Sequence, residues 1–359
     1  SLVQMYREGG WMPIFPCWNS YTAAMIGDHA SAALADAYVK GIRNFDAKKA
    51  YDGMRQNAFS TPYYSKDYKD GKGRRAITSY IENGYIPLEN PVADAFHTNE
   101  QTSRTLEYAY DDFAVAQMAK ALMDSCQNIS QRQKYQEDYQ LLMRRSENWR
   151  NVINPFTGWA DGRTEKGKWE NNRDLVHRKS YITEGATCHY TWYVPQNPEG
   201  LFEVIRNSKS AKGDDPVVTR LDDMFDKGWY WHGNEPCHQI PYLYDAAGAP
   251  EKTQERVHHI LNTEYNDTPG GLSGNDDAGQ MSAWYVFSSI GFYPVCPGTP
   301  EYYIGTPSFD KVTLNLENGK RFVLSAQRRK ADDYLIQSTT LNGNPWSEYR
   351  IFHQQILQG

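Results

Sequence analysis

The chain of 359 residues has no Cys-x-x-Cys spacing: Cys17, Cys126, Cys188, Cys237 and Cys296 are widely scattered. Neither a zinc module nor a disulfide framework is indicated, and the odd count leaves at least one thiol unpaired within the chain. No stretch is long and apolar enough to cross a membrane. There is no surplus of positive charge, because 38 Lys and Arg face 44 Asp and Glu, for a formal charge of −6 and a pI near 5.9. This balance argues against nucleic acid or an anionic membrane as the main partner. No charged, then apolar, then small-residue leader opens the chain. Its first residues, SLVQMYREGGWMP, read as the middle of a domain, so a start further upstream is expected and the compartment stays open. What is abundant is aromatic, with 26 Tyr and 10 Trp in an aromatic share of 14%. Flat rings with a polar handle suit sugar faces, and they suit helix packing as well.

Along the chain, helices alternate with loops rich in Gly and aromatics. Asp28-His29-Ala30 precedes an Ala-rich helix over Ala32 to Val39, and Asp46 is expected to cap a short helix reaching Asn57. Ser60 to Glu100 reads as irregular. Ser103 to Met123 is the clearest helix, with Leu106, Ala109, Tyr110, Phe113, Ala114 and Met118 on one face and Ser103 as its cap. Glu107, Asp111 and Asp112 on its flanks are expected to form a solvated acidic face. Further helices are expected over Gln131–Trp149, Glu184–Val194, Leu201–Ile205, Val217–Phe225 and Glu251–Thr263. Paired helices joined by loops suggest a toroid. From Glu301 the pattern changes to alternation, with Asn318-Gly319 a hairpin signal and Asn342-Gly343 a second turn. Two regions follow, a helical body over residues 1–300 and a small β-domain over 301–359, with the boundary near Pro297 to Pro307.

Three loops gather the chemistry: Tyr181–Pro195, Gly228–Tyr242 and Gly271–Tyr293. Each sets a carboxylate among Trp, Tyr and Gly at a loop-to-helix junction, and function gathers on loops held by a rigid scaffold. In the third, Asn275, Asp276 and Asp277 precede an apolar run from Met281 to Phe287. Adjacent carboxylates there suit helix capping and suit catalysis about equally. Glycoside hydrolysis needs one carboxyl group protonated to serve the leaving oxygen and one ionised to activate water. Glu184, flanked by Ile182, Tyr190 and Trp192, has the more apolar neighbours in sequence and suits the acid; Asp277, among polar residues, suits the base. Asn234, Glu235 and Asn275 offer hard oxygen ligands that favour calcium over zinc. His189, His232 and His238 show no HxxxH or HxH spacing.

Ser273-Gly274-Asn275-Asp276-Asp277-Ala278-Gly279-Gln280-Met281-Ser282-Ala283-Trp284-Tyr285, with Gly233-Asn234-Glu235-Pro236 and Gly27-Asp28-His29, resembles glycoside hydrolase family 92. Thr105 to Asp112 and Phe309-Asp310-Lys311-Val312 support the likeness, which runs along essentially the whole chain. The resemblance implies a mainly α fold, an (α/α)6 toroid followed by a partly truncated β-sandwich-type C-terminal domain. It implies a calcium-dependent exo-α-mannosidase that inverts the anomeric centre, with a Glu184–Asp277 carboxyl separation of about 6.5–9.5 Å. Glu184 stands at the general acid, Asp277 at the base, and Asn275 where many members carry an acidic helper. Asn234 and Glu235 fall near the calcium, which holds two sugar hydroxyls in the family. Trp231, His232, Glu235 and Asp276 fall around the sugar, with Asp276 also the natural helix cap. The resemblance further implies α-mannoside glycans of the N-glycan or mannan type as substrates, an N-terminal β-sandwich domain ahead of this chain, and export from a bacterial cell to periplasm, surface or medium.

Two departures stand out. Glu184-Gly185-Ala186-Thr187-Cys188-His189-Tyr190 replaces the usual Glu-Gly-Asn-Ala-Trp-Gln-Tyr, which implies an altered pocket. Gly233 follows His232 where α1,2-specific relatives carry His-Glu, which weighs against that linkage. Other inverting glycosidases on helical toroids, of the trehalase or glucoamylase kind, and a non-catalytic sugar-binding fragment are the competing expectations.

Overall fold

The computed structural model describes residues 1–18, 20–60, 70–90, 96–330 and 332–359, so part of the irregular stretch expected over Ser60–Glu100 lies outside the described residues. The chain is mainly helical with small antiparallel sheets. It divides into two compact units. One comprises residues 1–197, 207–210 and 297–299; the other comprises 198–206, 211–296 and 300–359.

In the first unit, α1 (Leu2–Gly9), α2 (His29–Val39), α3 (Ala47–Phe59) and α4 (Ile77–Asn83) are followed by the long α5 (Gln101–Ser125) and α6 (Ile129–Arg145). Asp46 caps α3 as expected, its carboxylate accepting from the Lys49 N–H at 3.0 Å. Helix α5 is buried on nearly every side, with α2, α3 and α6 packed on it. This overturns the solvated acidic face: Glu107, Asp111 and Asp112 are 4%, 0% and 0% exposed. Carboxylates enter a core only when partnered, and two arginines provide for this. Arg74 spans Asp28 at 3.0 Å and Asp112 at 2.7 Å, while Arg145 reaches Asp112 at 2.8 Å. The Tyr80 hydroxyl also donates to Asp112 at 3.0 Å. Ser103 is likewise no cap, because the helix begins two residues earlier, after Glu100 at φ 56°; its Oγ accepts from the Thr183 N–H at 2.9 Å. The turn at Asn154–Gly158 joins β1 (Ile153–Asn154) to β2 (Trp159–Ala160). The helix expected over Glu184–Val194 shrinks to α7 (Thr187–Tyr190), since Glu184 is left-handed and Pro195 follows closely.

The second unit holds α8 (Pro198–Asn207, whose last residue falls in the first unit), α9 (Pro216–Asp226), α10 (Leu243–Ala247), α11 (Pro250–Thr263) and α12 (Gln280–Ile290). Pro216 and Pro250 open their helices where a missing N–H costs nothing, and Asp215 caps α9. Gly291 at φ 114° ends α12, and the chain enters β3 (Phe292–Tyr293). This strand pairs with β4 (Glu301–Ile304), which pairs with β9 (Arg350–Phe352). The hairpin expected at Asn318-Gly319 is β5 (Lys311–Asn315) with β6 (Arg321–Ser325), and Gly319 takes φ 80°. The second turn joins β7 (Thr340–Leu341) to β8 (Asn344–Pro345), with Asn342 and Gly343 at φ 51° and 81° as a type I′ turn asks. Helix α13 (His353–Gln358) closes the chain. Phe292, Tyr302, Phe322, Ile351 and Ile356 share one apolar cluster with Phe287 and Ile290 of α12. The strands beyond residue 300 therefore group with the preceding helices, and the compact units do not divide at 300/301.

Candidate functional site

In the second unit the structure brings two of the three loops together, backbone against backbone. A Cβ on Gly274 would stand 2.5 Å from the Gly233 carbonyl oxygen, and one on Gly233 would stand 2.6 Å from the Ser273 carbonyl oxygen. Only glycines permit this approach. It joins the loop that carries Asn234 and Glu235 to the loop that carries Asn275–Asp277 at Gly233 and Gly274.

Asp276 and Asp277 part company here. The Asp276 carboxylate accepts from the Ser282 N–H at 2.9 Å, and its carbonyl accepts from Gly279 and Met281, so it serves the start of α12. Asp277 is exposed and left-handed at φ 45°, and Ala278 and Gly279 continue the left-handed turn at 59° and 98°. Each non-glycine residue held in that region costs about 1–3 kcal/mol, and such strain concentrates at functional sites. Asn275 is exposed beside it. Trp231 is 46% exposed at the neighbouring loop.

His232 is 1% exposed beneath this loop, among Tyr265, His238 and Trp284. The Tyr265 hydroxyl donates to the Met281 carbonyl at 3.0 Å, so it accepts from His232 Nε2 at 2.6 Å. His232 Nδ1 then accepts from the Tyr230 hydroxyl at 2.7 Å. His238 Nε2 donates to the His232 carbonyl at 3.0 Å, and its Nδ1 faces Gln280 Nε2 at 3.2 Å. Burial, and for His232 the neighbouring His238, lower these two imidazoles to about 2 and about 4, in keeping with neutral rings. His232 thus holds the loop in place, with both ring nitrogens engaged by tyrosine hydroxyls.

In the first unit, Glu184 takes φ 47°, and its side chain is 46% exposed. The apolar residues around it in sequence, Ile182, Tyr190 and Trp192, are 0–1% exposed, so they form the floor and not an enclosure. The left-handed turn leaves the carboxylate half exposed and within 3.5 Å of His97 Nε2. His97 is anchored by Arg104, whose guanidinium donates to its carbonyl at 2.6 Å.

A cluster that sequence reasoning assigned to solvent also lies in this unit. The Tyr190 hydroxyl donates to Glu107 at 2.9 Å, and His29 Nε2 lies 3.2 Å from the other Glu107 oxygen and from the Tyr193 hydroxyl. The Asp28 N–H donates to Asp111 at 2.8 Å. Desolvation pulls the His29 imidazole down, but the Glu107 hydrogen bond and the charges of Glu107, Asp111 and Asp28 more than reverse this, to about 9. The signal was present: Gly27-Asp28-His29 and Thr105–Asp112 are both motif segments, and the structure packs one on the other.

As metal donors, Asn234 and Glu235 are hard oxygen groups on a fixed loop, which fits calcium in kind. Among the described residues no group of three or more His, Cys, Asp or Glu side chains is placed to share an ion. Calcium takes roughly six to eight oxygens, so these residues fit as a minority of such a shell.

Residues 1–359 match the glycosyl hydrolase family 92 catalytic domain throughout. Among solved structures the chain is similar to a family GH92 α-mannosidase from Bacteroides thetaiotaomicron, at 34% identity and TM-score 0.84, covering 99% of this chain and 45% of that one. That mannosidase in complex with mannoimidazole matches at 33% identity and TM-score 0.85, over 99% of this chain and 46% of that one. A family GH92 inverting mannosidase from the same organism matches at 35% and 0.85, over 100% of this chain and 48% of that one. An uncharacterized secreted glycosidase of Arthroderma benhamiae is 28% identical over 389 residues, covering 100% of this chain and 47% of the relative. The chain spans about half the length of the relatives it matches, and it belongs to glycosyl hydrolase family 92.

Proposed function

We propose that this chain carries the catalytic groups of an exo-α-mannosidase that cleaves terminal α-mannosyl linkages with inversion. The observation that carries this reading is the strained backbone at the two candidate carboxylates. Glu184 and Asp277 are both non-glycine residues held left-handed, and both present exposed side chains. Strained backbone positions of this kind recur at active sites. In this reading Glu184 gives its proton to the leaving oxygen, while Asp277 takes a proton from the attacking water. Asn275 orients that water in place of an acidic helper, Trp231 offers a ring face to the sugar, and Glu235 reaches its hydroxyls. Asp276 and His232 act indirectly, by fixing the α12 start and the loop floor. Asn234 and Glu235 would hold calcium, which when bound supplies charge stabilisation and a template for the sugar hydroxyls. Substrates would be α-mannoside glycans, and a relative described as secreted supports a place outside the cytoplasm.

The test is hydrolysis of an aryl α-mannoside and of α1,2-, α1,3-, α1,4- and α1,6-mannobiose, using the longest polypeptide that carries this chain. Glu184→Gln and Asp277→Asn should each lower kcat by about 10²–10⁴-fold without unfolding the protein, and EGTA should lower activity reversibly. Near-wild-type turnover by Asp277→Asn would remove Asp277 from the mechanism. Activity indifferent to EGTA would remove calcium from the mechanism.

A further inference from the structure

A second concave site lies in the second unit, made of residues with no part in the loops above. A cavity of about 490 Å³ is lined by Asp245, Ala246, Glu348, Tyr349, Arg350 and Phe352. That volume is within the range of about 300–1,000 Å³ usual for small-molecule sites. Strand alternation builds one wall: Ile351 turns into the apolar cluster, so Arg350 and Phe352 face the other way. Tyr349 and Phe352 are each 44% exposed, leaving aromatic surface at the cavity.

Arg350 is pre-positioned. Its guanidinium lies 2.7 Å from Glu199, 3.7 Å from Glu301 and 4.9 Å from the centre of the Tyr303 ring. Asp245, on α10, is only 9% exposed, yet neither carboxyl oxygen has a hydrogen-bond partner of good geometry, and neither does the nearby Thr253 hydroxyl. A buried polar group without a partner is costly to fold and calls for an explanation. Burial pushes the Asp245 carboxyl well above the usual carboxylate range, with Thr253 and Arg350 opposing.

The charges select the ligand class. A guanidinium in the wall disfavours a bare metal cation, while Glu348, Glu199 and Glu301 around it disfavour an anion. A neutral polyol with one apolar face meets both conditions, since hydroxyls donate to carboxyl oxygens, accept from a guanidinium, and leave C–H faces for aromatic rings. We propose that this cavity is a second carbohydrate-binding site, taking one neutral hexopyranose unit, with Asp245 and Arg350 on neighbouring hydroxyls and Tyr349 and Phe352 against the ring. It stands independently of the catalytic assignment.

The test is calorimetric titration with methyl α-mannopyranoside and methyl α-glucopyranoside, with calcium and inorganic phosphate as charged alternatives. Asp245→Asn keeps the shape but removes the acid, and Phe352→Ala removes a half-exposed ring with little bearing on the fold. Each should weaken binding of a neutral pyranoside at least fivefold without lowering the melting temperature. Pyranoside affinity unaffected by both substitutions, no pyranoside binding by the wild type, or binding at these residues of calcium or phosphate alone would each overturn the proposal.

Discussion

Replacing Gly274 with alanine tests whether the two loops of the second unit act as one piece. The added methyl would stand 2.5 Å from the carbonyl oxygen and 2.7 Å from the Cα of Gly233, both backbone atoms that cannot rotate aside. Ordinary contact begins near 3.4 Å, so one loop must retreat by nearly an ångström. Overpacking of this kind costs about 1–3 kcal/mol, and an active-site displacement of about 1 Å lowers turnover about 10²-fold. Activity should therefore suffer far more than stability. The assay compares kcat/KM on an aryl α-mannoside with the thermal midpoint, using Gly270→Ala as control, since a Cβ there meets nothing within 4 Å. Wild-type kcat/KM in Gly274→Ala would refute the idea that the interlocked backbones position Asn234, Glu235 and Asp277.

Arg74 is fully buried between Asp28 and Asp112. Arg74→Met leaves Asp28 without its guanidinium and Asp112 with Arg145 alone, and should cost about 3–5 kcal/mol in urea unfolding; a loss below about 1 kcal/mol would contradict the pairing. His232 and His238 bear on acid stability. Their folded pKa values, about 2 and about 4, lie below the unfolded value of 6.5, so below pH 6.5 the unfolded chain binds more protons. The contribution of these two rings should be level above that pH and fall by roughly 1.4 kcal/mol per pH unit for each imidazole as pH drops toward 4. Thermal midpoints across pH 7.5 to 4.5 should decline less steeply in His238→Gln; an identical slope would show that this ring is not held neutral.

Much of the architecture was legible where local rules act alone. Asp46 caps its helix, Asn318-Gly319 and Asn342-Gly343 turn their hairpins, and the helices after Pro216 and Pro250 begin within a residue of where periodicity puts them. Failures came where tertiary context decides. Helix α5 is wrapped on most sides, so its carboxylates became a buried network once Arg74 and Arg145 came from distant segments. The short α7 reflects a left-handed Glu184, which no propensity favours. Within the candidate site, the helix-start duty of Asp276 was legible from its place before α12. The sealed position of His232 could not, because its partners Tyr230 and Tyr265 lie on different segments. Glu184 also stands open where apolar neighbours had suggested enclosure.

The central claim is that Glu184 and Asp277 act as acid and base on water, with inversion. Its most direct test is proton NMR of the sugar released from an aryl α-mannoside in the first minutes, before mutarotation mixes the anomers. The account predicts that β-mannose appears first. The appearance of α-mannose first would mean a covalent, retaining route and would contradict it.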